Sequence, residues 1–143
     1  MLVQFRLEVE LFDSSMIIPR TLIKIVDNTG AKLCRCIRVL SQSPKTKVGD
    51  LVIVSLQKVK SRYVHKGQKK EQIKKGEIRL ALIIHIARPI YRKDGTRLKL
   101  HINYALLVTT KGKTLGSRFK KPIPKEIRCQ KWLKLVSIAP LLF

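Results

Sequence analysis

Hydrophobic positions in this chain fall into short runs from Met16 onward, and turn-forming residues separate the runs. The runs are rich in Val, Ile, Leu and Thr, which is typical of β-strands. They cover Thr21–Val26, Lys32–Leu40, Leu51–Val59, Ile78–Ala87, Arg97–Ile102 and Tyr104–Thr109. Strands this short at this spacing predict a small β-barrel or β-sandwich.

Two of the runs, LVIVSL at 51–56 and LALIIHI at 80–86, are almost continuously apolar. Their length favours buried strands over helices. A strand that packs on both faces in a closed barrel loses the simple alternation of apolar and polar residues, and we expect this of both runs. Asp94-Gly95, farther along, predicts a β-hairpin with a type I′ turn, which needs positive φ at both central residues.

The run Arg97–Ile102 alternates between apolar and cationic residues, so the two kinds lie on opposite faces of a strand. The apolar face holds Leu98, Leu100 and Ile102, and the other holds Arg97, Lys99 and His101. Lys32 and Arg38 similarly lie beside apolar neighbours in the second run. We therefore expect the outer surface of the barrel to be basic on more than one strand.

The charge of the chain is far from balanced, with 31 Lys and Arg against 9 Asp and Glu, a formal net charge of +22. Such an excess implies a polyanionic partner, and nucleic acid is the usual one. An anionic membrane surface is the alternative. No apolar run approaches the roughly 20 residues of a membrane-spanning helix, and no long basic amphipathic helix is apparent.

The distribution of charge divides the chain into three parts. Residues 1–15 carry three acids and one Arg, unlike a transit or signal peptide, and form an N-terminal extension. Residues 16–110 form the β-domain, in which the segment Lys58–Lys75 holds eight cations and one acid and projects as a basic loop. Residues 111–143 form a C-terminal lobe of loops and short helices, with Pro124 at a first helical position.

Catalytic and metal-binding patterns are missing from the sequence. Its three cysteines and three histidines match no zinc-ligand spacing, so Cys34 and Cys36 are expected to be small buried residues on one face of a strand. Asp27, Asp50, Glu77 and Asp94 lie at turns or strand ends, where capping explains them. We expect no enzymatic activity, no metal and no cofactor. A basic nuclease that uses His65, His85 or His101 as its base is the alternative.

The nucleic acid is expected to be structured RNA. No helix-turn-helix, zinc finger or basic zipper is present, which counts against a DNA reader. Aromatic residues make up 6% of the chain and do not cluster on one strand, which counts against a binder of single strands. A small barrel with basic loops suits folded RNA, whose phosphates and 2′-hydroxyls are recognised by shape.

Several sequence blocks together resemble the large-subunit ribosomal protein fourteen family. They are IVDNTGAKLCRCIRVL, KVGDLVIVSL, IKKGEIRLALII, YRKDGTRLKL, LGSRFKKPIPKEIR and WLKLVSIAP, in family order over about Met16 to Pro140. The resemblance implies a closed five-stranded β-barrel with a C-terminal lobe. It also implies a structural constituent of the large ribosomal subunit, bound to large-subunit rRNA beside ribosomal protein nineteen or its counterpart. There it would contact small-subunit rRNA across an inter-subunit bridge.

The resemblance assigns an interface role to particular residues. Gly116-Ser117-Arg118 match the family's Gly-Thr-Arg block at the subunit interface, and Lys134 matches a basic residue near it. In family members this surface also receives a ribosome-silencing factor. Lys120-Lys121 stand where the family usually has Phe-Gly, which replaces an apolar contact and a flexible hinge by two cations. The interface residues are thus Gly116, Ser117, Arg118, Phe119, Lys120, Lys121 and Lys134.

The RNA-binding residues are expected among the cations of the barrel and its loops. They are Lys32, Arg35, Arg38, Lys45, Lys47, Lys58, Lys60, Arg62, Lys66, Lys69, Lys70, Lys74, Lys75, Arg88, Arg92, Lys93, Arg97 and Lys99. The basic region at 60–71 is longer than is usual in the family, so we expect it to reach extra RNA or another partner.

Heavy use of Lys, Ile and Leu indicates AT-rich coding, and the high charge and extra segments indicate a divergent, organellar ribosome. We expect a mitochondrial ribosome, and the lack of a presequence is consistent with a chain encoded and made inside the organelle. A chloroplast or bacterial ribosome is the alternative location. Translation from Met1 and translation from Met16 both fit the sequence. A free RNA-binding or nuclease-like factor is the alternative function.

Overall fold

The computed structural model describes residues 16–41, 43, 45–60, 73–128 and 130–143. The strands are β1 (Leu22–Ile25), β2 (Ala31–Val39), β3 (Leu51–Val59), β4 (Ile78–His85), β5 (Ile90–Tyr91), β6 (Arg97–Leu98) and β7 (Tyr104–Val108). The C-terminal region contains 3-10 turns at Lys125–Ile127 and Gln130–Trp132, and one short helix, α1 (Leu133–Ile138). None of the helices within these ranges is long and apolar enough to cross a membrane.

Five strands close into a barrel in the order β1-β2-β3-β4-β7. Neighbouring strands are antiparallel except β1 and β7, which run parallel and place Lys24 opposite Tyr104. The mainly β fold, with a closed five-stranded barrel and a C-terminal region of loops and short helices, is therefore confirmed.

The hairpin at Asp94-Gly95 forms, but it lies outside the barrel and its predicted turn type is wrong. Only Arg97–Leu98 of the predicted run 97–102 is a strand, and it pairs with β5 in a separate two-stranded sheet. Gly95 has φ +81°, whereas Asp94 does not have positive φ. The Gly95 N–H donates to the Arg92 carbonyl at 3.1 Å, so a left-handed glycine closes the turn.

The barrel has two apolar clusters, one inside it and one on its outer wall. Ala81 and Ile83 of β4 point into the barrel, while Leu82 and Ile84 point outward, and all four are fully buried. Burial of each Leu or Ile stabilises the fold by about 1.5–3 kcal/mol. Packing on both faces thus explains the continuous apolar run of β4. In β3 packing on the outer face is only partial, because its outward residues at 51, 53 and 55 are half-buried.

The C-terminal region covers the outward face of β4 and β7. Phe119, Ile123, Ile127, Trp132 and Leu135 pack there in what we call the outer cluster, against Leu82, Ile84, Leu106 and Val108. Pro124 precedes the first 3-10 turn as its extended N-cap, so it is not the predicted first helical residue. The lobe covers the β4–β7 side of the barrel, whereas most outward-facing side chains of β1 and β2 are exposed.

Candidate nucleic-acid interface

Cationic side chains line the uncovered side of the barrel. Strand pairing places Lys24 opposite Leu33, which lies opposite Lys58, and the side chains of such pairs stand about 5 Å apart. One row farther along, Arg35 lies between Leu22 and Ser55. We call the exposed cations of this side the basic wall, which consists of Lys24, Lys32, Arg35, Arg38 and Lys58.

An irregularity in β2 shapes the basic wall. Cys34 and Cys36 point inward, and strict alternation would turn Arg38 inward as well. The register shifts between Cys36 and Arg38, so Arg38 lies opposite Ile53 and is exposed. A β-bulge that re-aims a side chain has this effect. Lys24 is not among the residues predicted to bind RNA, although its alternation with buried Ile23 and Ile25 identifies it as outward-facing.

Most of the predicted RNA-binding cations are exposed. The exposed ones are Lys32, Arg35, Arg38, Lys45, Lys47, Lys58, Lys60, Lys74, Lys75, Arg88, Lys93, Arg97 and Lys99. Arg62, Lys66, Lys69 and Lys70 lie outside the described residues, as do residues 1–15. Exposure makes a cation available to phosphates, but RNA binding by these residues stays a prediction.

Arg92 differs from the exposed predicted cations because it is half-buried and forms an ion pair within the chain. Its Nε donates to the Glu126 carboxylate at 2.7 Å, and its Nη2 donates to the same carboxylate at 3.1 Å. Nη2 also donates to the Phe143 carbonyl at 2.8 Å. The hydrogen bonds from Arg92 hold the pKa of Glu126 below its ordinary value. Arg92 therefore ties the β5–β6 hairpin to the C-terminal lobe.

Each acid in the described ranges forms a hydrogen bond or an ion pair within the chain. Asp50 accepts a hydrogen bond from the Lys47 amide, and Asp94 accepts from Thr96. Glu77 accepts from the Lys74 amide and forms an ion pair with Arg79. The expected turn and cap roles of the predicted acids are thus confirmed. None of these bonding partners is a cation of the basic wall.

The predicted interface loop, Gly116-Ser117-Arg118, is docked on the turn between β1 and β2. The Ser117 amide donates to Asn28 Oδ1 at 3.0 Å, and Asn28 Nδ2 donates to Ser117 Oγ at 3.0 Å. The Asn28 amide donates to the Arg118 carbonyl at 3.1 Å. This pairing fixes the loop while the side chains of Ser117 and Arg118 stay exposed.

The remaining predicted interface residues separate into buried and exposed groups. Gly116 is buried against the turn, and Phe119 is 7% exposed within the outer cluster, so both support the loop. Lys120 and Lys121 are exposed, and Lys121 Nζ lies 5.5 Å from the centroid of the Tyr104 ring, a cation–π contact. Lys134 is exposed on a different element, helix α1.

Asp27 connects the turn between β1 and β2 to strand β7. Its carboxylate accepts hydrogen bonds from the Thr29 amide at 3.2 Å, from the Thr29 hydroxyl, and from the Leu107 amide at 3.0 Å. Burial raises the pKa of Asp27, and the three hydrogen bonds oppose this rise. The sequence identifies Asp27 only as a turn former, because no local pattern indicates its bond to a strand 80 residues away.

The histidines and cysteines that the structure describes do not come together as a metal site. His85 is 4% exposed, its Nε2 donates to the Pro122 carbonyl at 2.7 Å, and its ring contacts Tyr104 and Phe143 edge-on. His101 is exposed, and His65 lies outside the described residues. Within the described ranges, no group of three His, Cys, Asp or Glu side chains could hold a metal ion.

Cys34 and Cys36 are both buried in the barrel core, as free thiols. Burial raises the pKa of Cys34 to about 12, and burial also raises the pKa of Cys36. Such thiols are small apolar fillers rather than nucleophiles. The expected placement of both cysteines on one face of a strand is confirmed.

A comparison with known protein families agrees with this architecture. The family described as ribosomal protein L14p/L23e matches the chain over residues 16–143. The match includes the barrel, the basic wall, the docked loop and the C-terminal lobe.

Proposed function

The chain belongs to the ribosomal protein L14p/L23e family and is a structural constituent of the large ribosomal subunit, and from this premise we propose that it binds large-subunit rRNA through the basic wall. The family is structural rather than enzymatic. The protein would neutralise phosphates where RNA segments crowd together, and its rigid barrel would set their spacing.

The observation that carries this proposal is that the C-terminal lobe covers one side of the barrel while the exposed cations of the basic wall lie on the other side. The C-terminal lobe buries the outer wall of β4 and β7, so the side formed by β1 and β2 is the open one. That side presents five exposed cations, while the described acids are engaged at turns. A fixed array of cations on a stiff surface suits the backbone of folded RNA.

We further propose that the docked loop meets the small subunit. Exposed Ser117 and Arg118 offer a hydroxyl and a guanidinium to small-subunit rRNA across a bridge. Protein nineteen or its counterpart would be the neighbour in the large subunit, and the same surface would receive a silencing factor. Exposed Lys120 and Lys121 place two positive charges at this point, which favours an anionic partner over an apolar one.

The proposed compartment is the mitochondrial ribosome, with a chloroplast or bacterial ribosome as the alternative. The support is compositional, namely the bias toward Lys, Ile and Leu and the net charge of +22. Fractionation of the source cells tests it, since the chain should be recovered with mitochondrial ribosomes.

Binding to a large-subunit rRNA fragment at several salt concentrations tests the role of the basic wall. The double variant Arg35→Ala, Arg38→Ala should weaken binding and reduce the slope of log affinity against log salt by roughly 0.9 for each phosphate that is no longer neutralised. Lys125→Ala removes an exposed cation on the C-terminal lobe and serves as the control. An unchanged slope in the double variant would contradict the proposal.

Sedimentation separates this function from a free RNA-binding factor. In a high-magnesium sucrose gradient the chain should migrate with large subunits. Recovery at the top of the gradient would favour the alternative.

A further inference from the structure

An open cleft lies between the loop that joins β2 to β3 and the C-terminal lobe. Its volume is about 440 Å³, within the range of sites that hold small ligands. Leu40 and Leu51 line it from the barrel, and Lys131 and Trp132 line it from the lobe. None of these residues belongs to the basic wall or to the docked loop.

The barrel side of the cleft is fixed by hydrogen bonds. The Lys47 amide donates to Asp50 Oδ2 at 2.7 Å, and the Asp50 amide donates back to the Lys47 carbonyl at 3.2 Å. The Gly49 amide donates to the Ile83 carbonyl of β4 at 2.8 Å, which anchors the turn to the barrel. These hydrogen bonds fix the turn that forms the barrel side of the cleft, so this side needs little ordering on binding.

The lining combines three kinds of chemistry. Leu40, which is 46% exposed, and half-buried Leu51 supply the apolar surface. Trp132 also lines the cleft, but it is packed in the outer cluster with 5% of its surface exposed. The hydroxyl of Ser41 and the carboxylate of Asp50 supply polar partners for base edges or ribose.

Two cations complete the lining from opposite sides. Lys47 and Lys131 are both exposed and line the cleft from the barrel and the lobe respectively. A phosphate between them would be attracted by both charges, while a base lay on the apolar surface. The Asp50 carboxylate also lines the cleft, and the two lysine charges outweigh its single negative charge.

We propose that this cleft binds a single unpaired nucleotide of the RNA, with its base on the apolar surface and its phosphate between Lys47 and Lys131. The proposal rests on the proposed function, because it assumes an RNA partner, but it names a second contact apart from the basic wall. An unpaired nucleotide suits a cleft of this size, since a base outside a helix is free to enter a pocket.

Trp132 is the only tryptophan of the chain and lines the cleft, so its fluorescence reports binding directly. The full chain is titrated with uridine and adenosine monophosphates at constant ionic strength, with N-acetyltryptophanamide as the correction for absorbance. We expect saturable quenching. Lys47→Ala and Lys131→Ala should each weaken binding about three- to five-fold, as for other partly exposed ion pairs. Lys125→Ala is the matched control and should bind like the wild type.

Three results would overturn the proposal: no saturable quenching, equal quenching in the double variant Lys47→Ala, Lys131→Ala and the wild type, or quenching reproduced by inorganic phosphate alone. The last would mean a simple anion site. Binding of the rRNA fragment is measured on the same samples. Intact rRNA binding without nucleotide quenching would overturn only the cleft, whereas absent rRNA binding would overturn the proposed function.

Discussion

Gly116 lies so close to Asp27 that a Cβ on the glycine would stand 2.7 Å from the Asp27 Cβ. The same Cβ would stand 2.9 Å from Asn28 Oδ1, the atom that accepts the Ser117 amide. The loop and the turn between β1 and β2 can therefore approach each other only because residue 116 has no side chain.

Gly116→Ala should push the loop away from the turn and destabilise the protein by about 1–3 kcal/mol, as expected when a packed site is overfilled. Urea denaturation of both chains measures this free energy of unfolding. Under the proposed interface role of the loop, the variant should also weaken association with the small subunit, since Ser117 and Arg118 would be displaced.

Ser117→Ala is the control for Gly116→Ala, because it removes one hydroxyl contact and adds no atoms against the turn. Its effect on unfolding should be smaller than that of Gly116→Ala. Equal stability of the Gly116→Ala and wild-type chains would contradict the close packing of loop and turn.

Asp27→Ala should cost about 1–3 kcal/mol, because it leaves the amide of fully buried Leu107 without its acceptor. Thermal unfolding measures the destabilisation. Asp94→Ala is the control. Asp94 also accepts a hydrogen bond from a nearby backbone amide, but it lies in an exposed hairpin, so its removal should destabilise the protein less. If the two substitutions were equally damaging, burial would not explain the importance of Asp27.

Much of the barrel could be predicted from the sequence, because its strands are local patterns bounded by turn residues. The bounds of β3 match the predicted run, and those of β2 and β7 differ by single residues at their ends. The prediction for the run 97–102 is wrong because alternation shows that a segment suits a strand without showing which strand it joins. Just after this run, Asn103 is buried and its Oδ1 accepts a hydrogen bond from the Ala87 amide. A side chain therefore bonds the backbone where a paired strand was expected.

The candidate site was less predictable than the fold. Alternation with buried neighbours predicts that Lys24 and Arg35 are exposed, whereas Arg38 is exposed because of a register shift that the sequence does not indicate. The Arg92–Glu126 pair joins residues 34 positions apart, and Asp27 reaches Leu107 across 80. Such contacts depend on how elements meet in space, and one sequence does not encode their partners in any local pattern.

Cys34 should resist alkylation in the native protein. Burial raises the pKa of this thiol to about 12, so the reactive thiolate is scarce at neutral pH and the side chain is inaccessible. Iodoacetamide labelling followed by peptide mapping checks this, with the urea-unfolded chain as the reference. Rapid labelling of native Cys34 would mean that β2 opens from the barrel.

Acidification should destabilise the protein through His85. Burial lowers the pKa of His85 below its ordinary value of 6.5 and the charge of Lys121 adds to this, while the hydrogen bond to Pro122 opposes it. Between that ordinary value and the lower folded one, the unfolded chain binds a proton that the folded chain does not. The stability present above the unfolded pKa is therefore lost as the pH falls toward the folded pKa.

Urea midpoints measured from about pH 7.5 to about pH 5.5 cover the range in which an ordinary histidine titrates. The wild-type midpoint should fall with pH, and His85→Gln should make the profile flatter, because its amide can donate to the Pro122 carbonyl without titrating. The wild type and the variant differ only at residue 85, so the difference between their profiles reports this residue alone. Parallel profiles would show that His85 is protonated equally in the folded and unfolded states, which would contradict its burial between the barrel and the C-terminal lobe.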